Sequence, residues 1–326
     1  MIADPEQRHD AGVVEKVTRL LDVLSEIGRH PLLSKKVCLH GGTAINLFML
    51  DAPRLSTDAD ITYIGDENPV IETERESVEA ALQDVGSFLG YNVTASKETI
   101  AGRTFRLRYA GSRGADFIKI DINYLNRVPL QPVLYSECYI EKSIRIKTLS
   151  RAELIAGKTK ALFDRVVVRD IYDISQIYRL MGELFDLTND IETRKLRRTI
   201  LFYAALSHLF PVAFEGITEN RFTGRDKQIR NELYPVLAVD DRPSLKDLIS
   251  GAESFVKEYV TPKDNVEAEY LERFEQADYC PGLLFEEWPD VLIAAEKNPP
   301  AKWKILNLAR KEMQDYDRGS SSAAAE

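Results

Sequence analysis

The chain has 326 residues, room for about two domains at roughly 150 residues each. Apolar residues make up 44% and charged residues 29%, enough core-forming material to exclude whole-chain disorder, collagen and coiled coil. Lys and Arg number 43 against 52 Asp and Glu, a net charge of −9; this disfavours a globally basic nucleic-acid binder and leaves room for a local basic patch.

Cys38, Cys138 and Cys280 are scattered without metal-ligand spacing, so reduced thiols are expected. No run of 18 apolar residues occurs, and the polar start MIADPEQRHDAG lacks a signal-peptide layout; the expectation is a cytoplasmic protein with no membrane contact.

In chain order, apolar residues at helical spacing from Val13 to Ile27 predict the first helix. Val37–Leu39 reads as a strand entering a turn at Gly41 and Gly42; a helix opens at Thr43 and stops at Pro53. The segment 54–64 alternates, with Ser56, Asp58 and Asp60 on one face. A helix over 70–89 follows, then strands at 91–95, 104–109 and 117–125; in the last, Lys119, Asp121 and Asn123 share a face. From Arg151 to Arg179 the pattern is strongly helical, and it stays mostly helical to about Asp315. The fold class expected is α+β: a domain over 1–147 with a mixed sheet flanked by helices, an all-α domain over 148–318, and a low-complexity, disordered tail at 319–326.

Three features of the first part carry chemistry. Strand, Gly41-Gly42 and helix bring backbone N–H groups close to a ligand and can hold a phosphate, although such a pair taken alone is most often only a turn. Asp58 and Asp60 lie on one strand face, close enough to share a divalent cation, Mg²⁺ foremost, which favours one or two carboxylates plus substrate phosphates; a solvated strand end would look alike. Asp121, between Ile120 and Ile122, needs a partner in a central strand, or sits in an edge strand paired with Lys119. Together they resemble the metal layout of DNA polymerase β-like nucleotidyltransferases, in which two aspartates hold metal at a triphosphate and a third accepts a proton or completes the site.

The stretch LHGGTAINLF followed by RLSTDAD resembles the AbiEii/AbiGii toxin family of nucleotidyltransferases, to which the mycobacterial MenT toxins belong. The family pattern Gly-Gly-Thr-Ala, then Arg-x-Ser-x-Asp-x-Asp, falls on Gly41, Gly42, Thr43 and Ala44, then Arg54, Ser56, Asp58 and Asp60. A later helical Lys followed by Arg-Asp-x-x-Asp falls on Lys158 and on Arg169, Asp170 and Asp173. The resemblance implies a toxin of a toxin–antitoxin system that uses Mg²⁺ or Mn²⁺ to transfer a nucleoside monophosphate from an NTP to RNA, the tRNA 3′ end above all. It implies catalytic roles for Asp58, Asp60, Asp121, Lys158 and Asp170, with metal on the first three, and nucleotide binding by Gly41, Gly42, Thr43, Ser56 and Arg169. A cognate winged-helix antitoxin would be the protein partner.

The segment 142–169 carries eight basic and two acidic residues, a local +6, which suits RNA or a triphosphate. On an unbroken helix Lys158, Arg165 and Arg169 would lie within about 40° of one another, unless the β-branched run Val166–Val168 breaks it. A second cluster, Arg194, Lys195, Arg197 and Arg198, offers RNA contacts or only a solvated helix face. Arg103, Arg106 and Arg108 alternate imperfectly and rank below both. Competing readings keep the enzyme but change the acceptor to a cationic small molecule or a protein side chain, or keep the fold as an inactive binding module.

Overall fold

A computed structural model describes residues 9–65, 71–211 and 214–310; the expected tail lies outside them. Seven strands among the described residues form one mixed sheet: β1 (Val37–His40), β2 (Asp58–Tyr63), β3 (Asn92–Ala95), β4 (Gly102–Gly111), β5 (Gly114–Asn123), β6 (Leu134–Glu137) and β7 (Arg145–Thr148), in the order β3-β4-β5-β2-β1-β7-β6. The pairs β2–β5 and β1–β7 are parallel and the rest antiparallel. Neither β6 nor β7 was expected. β6 is a four-residue edge strand with Leu134 and Tyr135 exposed, so it has no inward-facing apolar period to betray it.

Helix α1 (Ala11–Arg29) is capped by the Asp10 carboxylate, which accepts from the Gly12 and Val13 amides at 2.9 and 3.2 Å. Helix α2 begins at Gly41–Thr43 and continues as a π-helical turn over Ala44–Met49. Helix α3 (Ile71–Phe88) lies on the apolar sheet face: a Cβ on Gly86 would come within 2.5 Å of Val93 and 3.2 Å of Leu107. Arg103 points to this side and pairs with Glu79 of α3 at 2.6 Å.

Beyond Thr148 the chain is helical, with α4 (Arg151–Asp164), α5 (Val168–Leu184) and α6 (Asp190–Ala205) first, then α7 (Leu245–Tyr259), α8 (Asn265–Glu275) and α9 (Pro289–Lys297) with short turns between. The helical stretch expected over 151–179 is interrupted at 165–167, at the β-branched run where a break was allowed for. The β-branched run is the local cause, and a second cause is Arg165, whose guanidinium turns back to Asp170 at 2.7 Å. One continuous cluster of buried side chains runs from Val17 to Ala301, joining sheet and helices. Glu153 of α4 is one rivet, accepting from the Leu130 and Gln131 amides and from the Tyr203 hydroxyl at 2.7, 3.1 and 2.9 Å. Among the described residues no helix is long and apolar enough to cross a membrane.

Candidate active site

Strand register assembles the acidic centre. Parallel pairing sets Asp60 opposite Asp121 and Asp58 opposite Lys119, and antiparallel pairing sets His40 opposite Asp60. Directly paired residues point to the same side, so Asp58, Asp60, Lys119 and Asp121 form the corners of one square. The third carboxylate thus stands in an interior strand and has Lys119 as partner as well, uniting the two situations weighed for it. Its Oδ1 accepts from the Thr104 hydroxyl at 2.6 Å and its Oδ2 from the Lys119 ammonium.

The Gly41-Gly42 turn is built against this square. Gly41 has φ +68°, and a Cβ there would sit 2.2 Å from Asp60 Oδ2. Only glycine gives both that backbone and that space. The buried Thr43 hydroxyl donates to the Asp58 carbonyl and approaches Ser56 Oγ at 2.8 Å. Ser56 is 6% exposed and precedes β2. It therefore braces the turn from within and does not share the open face of Asp58 and Asp60. The strand begins only at Asp58 because the backbone before it is bound elsewhere: the Leu55 amide donates to the Val236 carbonyl at 2.8 Å, and the Tyr172 hydroxyl donates to the Pro53 carbonyl at 2.9 Å.

Burial pushes the Asp58 carboxyl above its ordinary value, and Asp60 adds to this; Lys119, Lys16 and Arg169 pull the other way. The Asp60 charge in turn helps to hold up the Arg165 guanidinium. Four cations thus act on the carboxylates, Lys119 and Arg169 together with Lys16 and Arg165, the last two while paired with Asp116 and Asp170. Burial pushes the His40 imidazole down, favouring its neutral form.

Beside the glycine turn runs a buried ion network. Arg54, 2% exposed, holds Asp173 bidentately, through Nε at 2.7 Å and Nη2 at 2.8 Å. Asp173, fully buried, also accepts from Asn46 Nδ2 at 3.1 Å and from the Lys158 ammonium at 2.8 Å. Lys158 spans to Asp170 at 2.9 Å, and Asp170 reaches the exposed Arg165. Although burial opposes charge, Arg54 and Lys158 hold the Asp173 carboxyl well below its ordinary range. The same amide of Asn46 donates to the Gly42 carbonyl at 2.9 Å, so the network grips the glycine turn directly.

A family model, the nucleotidyl transferase AbiEii toxin of type IV toxin–antitoxin systems, matches residues 22–277. The chain belongs to the AbiEii nucleotidyltransferase toxin family. It is a nucleotidyltransferase, and the type IV pairing implies an NTP substrate and an antitoxin partner. Among solved structures, MenT4, a nucleotidyltransferase toxin from Mycobacterium tuberculosis, is 12% identical with a TM-score of 0.51, over 87% of this chain and 92% of that one. JHP933 from Helicobacter pylori is 15% identical with a TM-score of 0.46, over 82% and 97%. At such identities the likeness to MenT4 bears on fold alone. No curated protein matches the sequence.

For this AbiEii chain the structure gathers Gly41, Gly42, Asp58, Asp60 and Asp121, with Arg169 beside them. Thr43, Ser56, Lys158 and Asp170 lie behind that surface, in contacts that fix it. Lys158 and Arg169 do not continue one helical stripe, because α4 and α5 are separate. Three of the four residues of the second basic cluster pair within the chain, Arg194 with Glu287, Arg197 with Glu267 and Arg198 with Glu287 and the Leu284 carbonyl. Sequence reasoning missed Asn46, Lys16 and Thr104 as members of the site, and Arg165 as the outer end of its network. Nothing in local periodicity marks them: Lys16 and Thr104 come from other elements of the fold, Asn46 reaches Asp173 over 127 residues, and Arg165 is bonded to Asp170 across the helix break.

Proposed function

We propose that this toxin transfers a nucleoside monophosphate from an NTP to a hydroxyl of RNA, the tRNA 3′ end foremost, with release of pyrophosphate and with Mg²⁺ or Mn²⁺ as cofactor. The observation that carries this is the square of Asp58, Asp60, Lys119 and Asp121 at a glycine turn, with cations acting on it. Among the described residues no group of three or more Asp, Glu, His or Cys side chains is gathered for a metal. Two carboxylates with substrate phosphates are nevertheless what Mg²⁺ favours. Asp58 and Asp60 suit it: Gly41 keeps the space beside Asp60 clear, and like charges on one face call for a cation. Bound there, the ion would neutralise triphosphate charge and polarise the reacting phosphoryl group.

This chain's own residues do the rest. The Gly41-Gly42 backbone admits the phosphates, and Lys16, Lys119, Arg165 and Arg169 offset their charge. The acceptor oxygen bonds to the α-phosphorus as the bond from that phosphorus to the bridging oxygen breaks. Pyrophosphate departs with the electron pair, and the hydroxyl proton passes to Asp121. Lys158, Asp170, Asp173 and Arg54 position the turn and do not touch substrate. The test is label transfer from each α-labelled NTP to total tRNA. Label from one NTP, abolished in Asp58→Ala and by chelation, is the expected result. Metal-dependent NTP binding with no labelled tRNA would overturn the RNA acceptor.

A further inference from the structure

The geometry points to the polar sheet face beyond Asp121 as the seat of the acceptor RNA strand, with Arg106, Arg108 and Phe117 as its contacts. This rests on the RNA-acceptor reading above. Register places these residues. Thr104 is opposite Asp121, Arg106 opposite Lys119 and Arg108 opposite Phe117, while Thr94 and Asn92 of β3 continue the rows past Arg106 and Arg108. One row therefore reads Asp58, Lys119, Arg106, Thr94 across four strands. At about 4.8 Å per strand, Arg106 is about 10 Å from the acidic pair.

Chemistry names the occupant. Asn92, Thr94 and Arg108 are exposed, and Arg106 and Phe117 are half-buried. Among the described residues no carboxylate pairs with Arg106 or Arg108, in contrast to Arg103 on the other face, which pairs with Glu79. The Phe117 ring carries two cations, Lys16 at 4.9 Å and Arg106 at 5.7 Å from its centroid. Guanidinium groups beside an aromatic ring on an open surface combine phosphate attraction with base stacking, the pairing that single-stranded nucleic acid uses. A chain of net charge −9 that keeps unpaired arginines next to its carboxylates draws a polyanion to that edge and aims its end at Asp121. In the other basic cluster the three arginines already have carboxylate partners within the chain.

The experiment is fluorescence polarisation of 5′-labelled total tRNA with Arg106→Glu/Arg108→Glu, Phe117→Ala and the exposed-site single variant Arg108→Ala. Melting curves verify folding, and thermal stabilisation by Mg²⁺–NTP reports the nucleotide site. Expected are tRNA affinity down about tenfold or more in the double variant, a log–log salt slope shallower by about 1.4 for two lost phosphate contacts, a smaller loss in each single variant, and unchanged stabilisation by Mg²⁺–NTP. Wild-type label transfer to tRNA with undiminished binding by the variants would overturn this surface while sparing the RNA acceptor, and would leave the patch to an acidic protein. A wild type that neither binds nor labels tRNA would overturn both.

Discussion

Replacing Asp173 by Ala tests whether the buried network holds the site. Asp173 is fully buried and satisfies three neighbours: Arg54 through two hydrogen bonds at 2.7 and 2.8 Å, Asn46 at 3.1 Å and Lys158 at 2.8 Å. Its loss strands the Arg54 guanidinium, which is 2% exposed and keeps, among the described residues, only the Leu55 carbonyl as a hydrogen-bond partner. Lys158 retains Asp170, so one uncompensated buried charge remains, costing about 3–5 kcal/mol. That is a large share of a typical stability of about 5–15 kcal/mol. At about 2 °C per kcal/mol for a chain this long, the midpoint of thermal unfolding drops by about 6–10 °C. A cycle with Arg54→Ala should return a coupling of about 2–3 kcal/mol. The pH dependence has a definite sign. Asp173 titrates lower in the folded chain than in the unfolded one, so its stabilisation is full above about pH 4, the unfolded carboxylate range, and is lost as pH falls below it. Calorimetry of both proteins between pH 3 and 7 should show a steep acid decline in wild type and a shallower one in the variant. A midpoint shift under about 2 °C, or additive single losses in the cycle, would refute the reasoning.

Gly41→Ala must either move the Asp60 carboxylate from 2.2 Å or abandon φ +68°; a displacement near 1 Å costs about 100-fold in rate, so label transfer should fall by about that factor while the fold persists, and activity within threefold of wild type would count against the cradle. Lys119→Ala removes the ammonium from Asp121 and should tighten Mn²⁺ binding, followed as free Mn²⁺ by electron paramagnetic resonance, even as transfer slows; weaker binding would contradict a competing cation. Since burial raises the Asp58 carboxyl, protons compete with metal there above the usual carboxylate range: Mn²⁺ affinity should decline about tenfold per pH unit below the Asp58 value, and a flat profile down to pH 4 would argue that Asp58 is no ligand. Arg197→Ala breaks the pair with the buried Glu267 and should lower the melting midpoint without changing tRNA labelling per folded molecule; a selective loss of labelling would restore that cluster as an RNA contact.

What the sequence disclosed and what it hid follow the distance over which each feature is encoded. Spacing alone marks the Gly41-Gly42 turn, the carboxylates at 58 and 60, and the alternation around Asp121, because period and turn chemistry are local. The pairing of Asp60 with Asp121 joins positions 61 residues apart through parallel strands, and Arg54 meets Asp173 over 119 residues; no periodicity encodes either. Ser56 shows the limit from the other side. Its alternation with Asp58 and Asp60 is real, but the strand does not reach it, because Arg54 and Leu55 are bonded to α5 and to Val236.

The arginines of β4 make the same point in reverse. Arg103, Arg106 and Arg108 taken together alternate imperfectly, which lowers their rank as a set. Sheet register divides the set. Arg103 points to the apolar side, where Glu79 of α3 neutralises it. Thr104, Arg106 and Arg108 remain, and these alternate without a fault on the face of Asp121. The irregularity therefore came from one residue with a structural task elsewhere. Its removal turns a weak basic stretch into an ordered row leading to the carboxylates. A chain with this acidic balance has reason to pair its cations wherever they serve only the fold, as Arg54, Arg103, Arg194 and Arg197 do. The arginines left unpaired beside the acidic centre are then the ones whose partner comes from outside the chain.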